Sequence, residues 1–171
     1  MCFGVFLCTF KTLTCPSVHQ VKSTDQRYKG FKLFKMDPKF RVSIQPLWRP
    51  KAGSTLFLLF SKSHDMPVVK VLSEEAYNEK VELIQSSAMT PKQKSQMLGK
   101  LAMLSREASL NEQGKLLVPK DLSEQAGIVA EAEVYLVGRG IFFEIWSKAN
   151  FETVLHIESS QQVNDDELGI F

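Results

Sequence analysis

Two stretches of this chain repeat each other at a fixed offset, and no other feature limits its fold as strongly. Asp37-Pro-Lys-Phe-Arg41-Val-Ser-Ile44 returns 74 residues later as Asn111-Glu-Gln-Gly-Lys115-Leu-Leu-Val118. The offset then holds, with Ala52-Gly53 falling on Ala126-Gly127 and Val71-Leu72-Ser73 on Ile145-Trp146-Ser147. Two copies of one small β-rich module account for this pattern, and 171 residues suffice for two such modules around a shared core. A two-copy architecture of this kind points to binding rather than to chemistry.

Local signals agree with a duplication. Asp37-Pro38-Lys39-Phe40 carries Asp first and Pro second, as a type I turn favours, and Asn111-Glu112-Gln113-Gly114 carries Asn first and Gly fourth. Gly30 to Met36 reads as a strand rich in Phe and Lys. Each turn feeds a short strand, Arg41–Ile44 or Lys115–Val118. By alternation, Val42, Ile44, Leu116 and Val118 point inward, and Arg41 and Lys115 lie on the other face. Pro119 to Ala126 predicts a short helix, with Gly127 just past its end. Leu56–Phe60 with Val68–Leu72, and Val134–Val137 with Phe142–Trp146, predict hairpins joined through Ser61–Pro67 and Gly138-Arg139-Gly140. Ser73 and Ser147 then stand where a helix would be capped. Between the copies, Tyr77, Val81 and Ile84 share one helical face, as do Met97, Leu101 and Leu104. Thr90-Pro91-Lys92-Gln93 has the form of a capping box, so two helices are expected, each with an apolar stripe to bury.

The charge is distributed unevenly. Residues 1–72 hold 12 Lys and Arg against 3 Asp and Glu, giving +9, and residues 73–171 hold 9 against 16, giving −7. A polyanion facing the first half accounts for this; so does a self-complementary surface joining copies head to tail. The three cysteines (Cys2, Cys8, Cys15) precede the repeat and match neither a zinc pattern nor a disulfide framework. Cys2 to Phe10 is apolar but too short to span a membrane, and Lys11 follows that run instead of preceding it as in a signal peptide. Residues 1–27 are expected to be a disordered leader, or upstream sequence included by a misassigned start. Residues 28–77 then form the first module, 78–107 the connecting helices, 108–157 the second module and 158–171 a polar, acidic tail.

From Gly114-Lys-Leu-Leu-Val-Pro119, through Ala126-Gly127-Ile128 and Glu133-Val-Tyr-Leu-Val-Gly138, to Phe143-Glu-Ile-Trp-Ser147, the chain resembles the second half of the MraZ family. These are bacterial transcriptional regulators built from two AbrB-type (SpoVT/AbrB-like) modules. Tyr28-Lys29-Gly30 and the Asp-x-x-x-Arg signature of Asp37 to Arg41 resemble the first half, so the likeness covers about residues 28–157. It implies an α+β, β-rich fold in which two swapped-hairpin modules form a pseudo-twofold barrel with helices packed outside. It also implies a ring-shaped homo-oligomer on repeated boxes of double-stranded DNA, repressing the promoter of a division and cell-wall gene cluster that includes its own gene. Such a protein would be cytoplasmic and nucleoid-associated, with no membrane partner. The signature turn is where that family touches DNA. Arg41 stands at its arginine and Asp37 at its aspartate, with Lys115 and Asn111 in the equivalent places of the second copy. The chain departs from the pattern at Phe40, where glycine is usual, at Gln45, where proline is usual, and at Lys115, since lysine cannot make the planar two-point contact of arginine with guanine.

The residues give this resemblance a physical form. Lys29, Lys32, Lys35, Lys39, Arg41, Arg49 and Lys51 place seven cations in 23 residues. Two antiparallel strands and the tight turn between them can enter a major groove as a ribbon. The lysines would contact phosphate, and Asp37 would bond the backbone of its own turn and hold Arg41 in place. Phe31, Phe34, Phe57 and Phe60 are expected in the core, Trp48 and Trp146 in the core or at a subunit contact, and Arg139 at a solvated hairpin tip that a ring interface could use. Three other functions compete. An enzyme would need a catalytic constellation, yet His19, His64 and His156 are scattered, and no nucleophile, metal or glycine-rich phosphate motif accompanies them; no cofactor is implied. An AbrB-type antitoxin would add a protein partner, and a structural ring-former would have lost DNA binding.

Overall fold

The computed structural model describes residues 27–160; the leader, apart from Arg27, and the tail beyond Ser160 lie outside the described residues. The chain runs through β1 (Phe31–Lys35), β2 (Arg41–Ser43), a 3-10 turn (Pro46–Trp48), β3 (Leu56–Ser63), β4 (Met66–Ser73), α1 (Glu74–Ser86) and α2 (Pro91–Leu104). It continues through β5 (Ser105–Ala108), β6 (Lys115–Leu117), α3 (Lys120–Gln125), β7 (Glu133–Gly138), β8 (Phe142–Ser147) and α4 (Lys148–Ser160). The fold is α+β, with a six-stranded antiparallel sheet in the order β1-β7-β8-β4-β3-β5 and a separate two-stranded ribbon, β2-β6.

Two hairpins, β3–β4 and β7–β8, each lie within one half, and the other strand pairs join the two halves. β1 pairs with β7, β4 with β8, β3 with β5 and β2 with β6. The strands flanking the Asp37 turn therefore do not pair with each other, which corrects the ribbon expected from sequence. The two-stranded ribbon that exists takes one strand from each half.

The large sheet is covered on both faces, and its sequence alternation assigns them. Val134 and Leu136 of β7, and Phe143 and Ile145 of β8, pack with Val42, Leu116, Val118 and Trp48 beneath the ribbon and α3. Their neighbours Val137 and Trp146 pack with Phe151 and Val154 of α4 on the opposite face. Both tryptophans are buried, as expected. Phe31 is not: it is 53% exposed and leans on Tyr135 and Phe151, because among the described residues β1 is an edge strand of the sheet.

Turn and cap chemistry follow the sequence closely. Ser73 Oγ accepts from Ala76 N–H at 3.2 Å, and both halves of the Thr90–Gln93 capping box form. The β3–β4 connection is tighter than Ser61–Pro67. Its strands extend to a two-residue turn in which His64 (φ 49°) and Asp65 (φ 61°) are both left-handed, the geometry whose twist suits a hairpin. Gly138 has a different reason to be glycine. A Cβ there would run into the backbone of Tyr28 and Lys29, which must approach for Gly138 N–H to reach Gly30 O at 2.7 Å.

The connecting helices depart from expectation. Tyr77 stacks on Phe57 with ring centroids 4.1 Å apart, but α2 buries no residue and α1 only Ala76. Their apolar stripes instead line an open cleft with Leu59 and Phe60, where Leu83 and Met97 remain exposed. Helical spacing reports which residues share a face; it does not report whether the same chain covers that face.

Candidate nucleic-acid interface

Two turns with one hydrogen-bond pattern flank the ribbon. In the first, Phe40 N–H donates to Asp37 O at 3.0 Å and Asp37 N–H to Arg41 O at 2.8 Å; in the second, Gly114 N–H donates to Asn111 O at 2.8 Å and Asn111 N–H to Lys115 O at 3.0 Å. The first side chain of each turn closes it. Asp37 Oδ1 accepts from the Lys39 and Arg41 amides, both at 2.9 Å, and Asn111 Oδ1 from the Gln113 and Lys115 amides at 3.1 and 2.8 Å. Asp and Asn are suited to this because a short side chain ending in oxygen reaches the backbone two and four residues on.

The fourth position of each turn is left-handed, with Phe40 at φ 56° and Gly114 at φ 73°. Glycine adopts this freely; a side chain there is strained by about 1 kcal/mol or more. Phe40 packs its ring against the buried core, and the turn keeps the hydrogen bonds of its glycine counterpart. At Gly114 the space of a side chain is filled by the Arg49 guanidinium, which donates from Nε to Ile44 O at 2.7 Å. Arg49 therefore braces the second turn, a role its place in a run of cations concealed.

The ribbon sorts its residues by face. Val42 and Leu116 are fully buried, so Arg41, Ser43, Lys115 and Leu117 stand on the outer side, with Arg41 across from Leu117 and Ser43 across from Lys115. Asp37 lies between the two cations. Its Oδ2 accepts from Arg41 Nε at 2.7 Å and lies 3.8 Å from Lys115 Nζ. Desolvation opposes ionisation of Asp37, but hydrogen bonds from the Arg41 amide, the Arg41 guanidinium and the Lys39 amide outweigh it and hold the carboxyl below its ordinary value. Arg41 has a side chain 35% exposed. With Nε tied, its two Nη atoms have no hydrogen-bond partner among the described residues, so they are presented together on a guanidinium whose plane is already fixed.

The other cations are more dispersed. Lys39 is exposed at the tip of the first turn. Lys29 precedes β1 and is exposed. Lys32 and Lys35 leave β1 on opposite faces: Lys32 Nζ lies 5.6 Å from the Phe34 ring on the ribbon side, and Lys35 is on the α4 side. The structure thus brings Lys39, Arg41, Lys115, Asp37 and Asn111 to one ribbon and sets the β1 lysines apart from it. Ser43 and Leu117 were missed from sequence, although alternation from Arg41 and Lys115 pointed to them.

Arg139 is also placed differently than expected. It is half-buried, donating from Nε to Glu144 Oε2 at 2.9 Å and from its Nη atoms to Glu158 at 2.8 and 3.1 Å. Glu144 accepts as well from the Trp146 indole at 3.0 Å. The helix α4 carries Glu158, which the sequence reading had assigned to the tail. This network ties α4 to the β7–β8 hairpin and lies apart from the ribbon.

A family model described as "MraZ protein, putative antitoxin-like" matches residues 102–168. The transcriptional regulator MraZ of Mycoplasmopsis pulmonis is 26% identical over 118 residues, covering 69% of this chain and 77% of that protein. The chain is thus similar to the MraZ regulators over about two thirds of its length. The MraZ regulator of Dehalococcoides mccartyi is 27% identical over 120 residues, 70% of this chain and 82% of its own length. That of Rickettsia akari is 37% identical over a shorter 57 residues, about a third of each protein. Among the described residues, no helix is long and apolar enough to cross a membrane.

Proposed function

We propose that this chain is a sequence-specific regulator of transcription that reads double-stranded DNA with the β2–β6 ribbon. One observation carries this: an arginine and a lysine from the two halves meet on one ribbon around a carboxylate that bonds the arginine's Nε and leaves both its Nη atoms without a hydrogen-bond partner among the described residues. Such a guanidinium suits the O6 and N7 acceptors of guanine in a major groove, which admits a two-stranded ribbon. Lys115 and Lys39 neutralise phosphate, Lys29 and Lys32 extend the contact, and Lys35 is its most remote member. Asp37 and Asn111 position the turns.

The finer assembly belongs to the same proposal. The two modules, 28–77 and 108–157, interleave as a pseudo-twofold barrel, which the strand pairs β1–β7, β4–β8 and β2–β6 support, while β3 pairs with β5, a strand that falls mostly in the 78–107 connection. One ribbon offers little contact area. Copies joined in a ring would engage direct-repeat boxes through high effective concentration. The site of action is the promoter of a division and cell-wall cluster, where the protein represses its own gene in the cytoplasm, at the nucleoid. The matched family model's antitoxin-like description and the open cleft beside Leu83 and Met97 favour one second reading, a regulator that also holds a protein partner. A toxin gene next to its own would support that reading.

The test is fluorescence anisotropy on duplex DNA from upstream of the gene, across a salt series. With five or six phosphates neutralised, the log–log slope is expected near about −5. Arg41→Ala should abolish specific binding with the assembly intact, and Lys115→Ala should lose about one unit of slope. Retained box recognition by Arg41→Ala sinks the assignment.

A further inference from the structure

Leu117 is an apolar side chain held in a charged setting. It is 52% exposed, whereas Leu116 beside it is fully buried. Ile44 N–H donates to Gly114 O and Val118 N–H to Phe40 O, both across the ribbon. Pairing alternates along such a ladder, so Arg41–Leu117 and Ser43–Lys115 are the non-hydrogen-bonded pairs, with Cα atoms only about 4.5 Å apart. The outer face is therefore a four-residue tile. Its cations occupy one diagonal, and Ser43 and Leu117 occupy the other.

We propose that Leu117 is a specificity-determining residue that reads the 5-methyl group of a thymine one base pair from the guanine addressed by Arg41. This rests on the DNA-binding role of the ribbon argued above. In the major groove the methyl group is the apolar mark of thymine, and an apolar side chain recognises it by excluding water from both. The spacing fits. Side chains of a non-hydrogen-bonded pair stand roughly 5 Å apart, and successive base pairs rise about 3.4 Å, so the residue across from Arg41 falls on the adjacent pair. A protein partner fits this site less well, since Leu117 stands across from Arg41 and two positions from Lys115 on the same face. At the other corner, Ser43 has a hydroxyl that both donates and accepts, so it discriminates weakly.

The experiment selects duplexes from a randomised pool with the full-length chain, then measures affinity for the enriched box with each thymine replaced in turn by deoxyuridine, which lacks only the methyl. Leu117→Ala is measured on the same series, with its oligomeric state and melting temperature. One thymine, next to the guanine at which 7-deazaguanine, lacking the N7 acceptor, weakens the wild type, should lose about fourfold in affinity as deoxyuridine with the wild type. The same replacement should cost Leu117→Ala nothing. Equal losses for both proteins at every thymine, or a box with no thymine beside that guanine, overturn the proposal. So does a changed oligomeric state for Leu117→Ala, which would make Leu117 a subunit contact. If the wild type enriches no sequence at all, the DNA-binding role itself falls, an outcome distinct from a box that is bound without methyl coupling.

Discussion

Replacing Arg139 with methionine keeps most of the side-chain volume and removes the cation facing a carboxylate already withdrawn from water. The Glu144 side chain is 3% exposed; without Arg139 it keeps the Trp146 indole at 3.0 Å and Lys70 at a loose 3.9 Å. Breaking a buried ion pair by deleting one partner costs about 3–5 kcal/mol, and the two remaining contacts put this case near the lower end, at about 3 kcal/mol. The Glu158 contact adds less than about 1 kcal/mol, because that side chain is a third exposed. With a urea slope of about 2 kcal/mol per molar, the unfolding midpoint should fall by roughly 1.5 M. Glu144→Gln placed in the Arg139→Met background removes the stranded charge and should restore most of the loss, although the same change alone destabilises. A midpoint shift under about 0.5 M, or a double variant that merely sums the two singles, would refute the claim that Arg139 is there to neutralise Glu144.

Three further outcomes follow from the geometry. Gly138→Ala should push the Tyr28–Gly30 segment off the sheet, losing three backbone hydrogen bonds and about 3 kcal/mol, with faster amide exchange at Tyr28 and Gly140; unchanged exchange would show that the close approach is not needed. Gly114→Ala should be destabilising through both its left-handed backbone and a collision with Arg49, so Arg49→Ala should partly rescue it in a thermal-melt double-mutant cycle, and strict additivity would count against the brace. The Arg139 guanidinium holds the Glu158 carboxyl below its ordinary value. A depressed folded-state value gives stability that is present above the unfolded value, near 4.5, and lost as pH falls through the folded one. The wild type's advantage over Arg139→Gln in urea titrations should therefore narrow by the Glu158 share, less than about 1 kcal/mol, as pH drops below about 4.5, and a constant gap would contradict the linkage.

The parts of the fold that could be read from sequence are those written in neighbouring residues. The Asp37 and Asn111 turns, the Thr90 capping box and the inward Val42 and Leu116 each depend on a few adjacent positions. Pairing between halves does not, since antiparallel partners are chosen by contacts distant along the chain; the strands around Asp37 looked like one hairpin and belong to different sheets. Arg139 between two glycines looked solvated because its carboxylates are 5 and 19 residues away. Phe40 was visible as a missing glycine, but the core packing that accommodates it was not.

Because β2 and β6 lie in different halves of the chain and differ in sequence, the two ends of the ribbon are chemically distinct. Rotating it by half a turn about the Val42–Leu116 pair exchanges guanidinium for ammonium and hydroxyl for isobutyl, so the two orientations on a duplex are unequal in energy. Two unlike strands thus make an arrow out of what two identical strands would leave reversible. If the ribbon reads DNA as proposed, each copy of this chain would sense which way along the double helix it is facing.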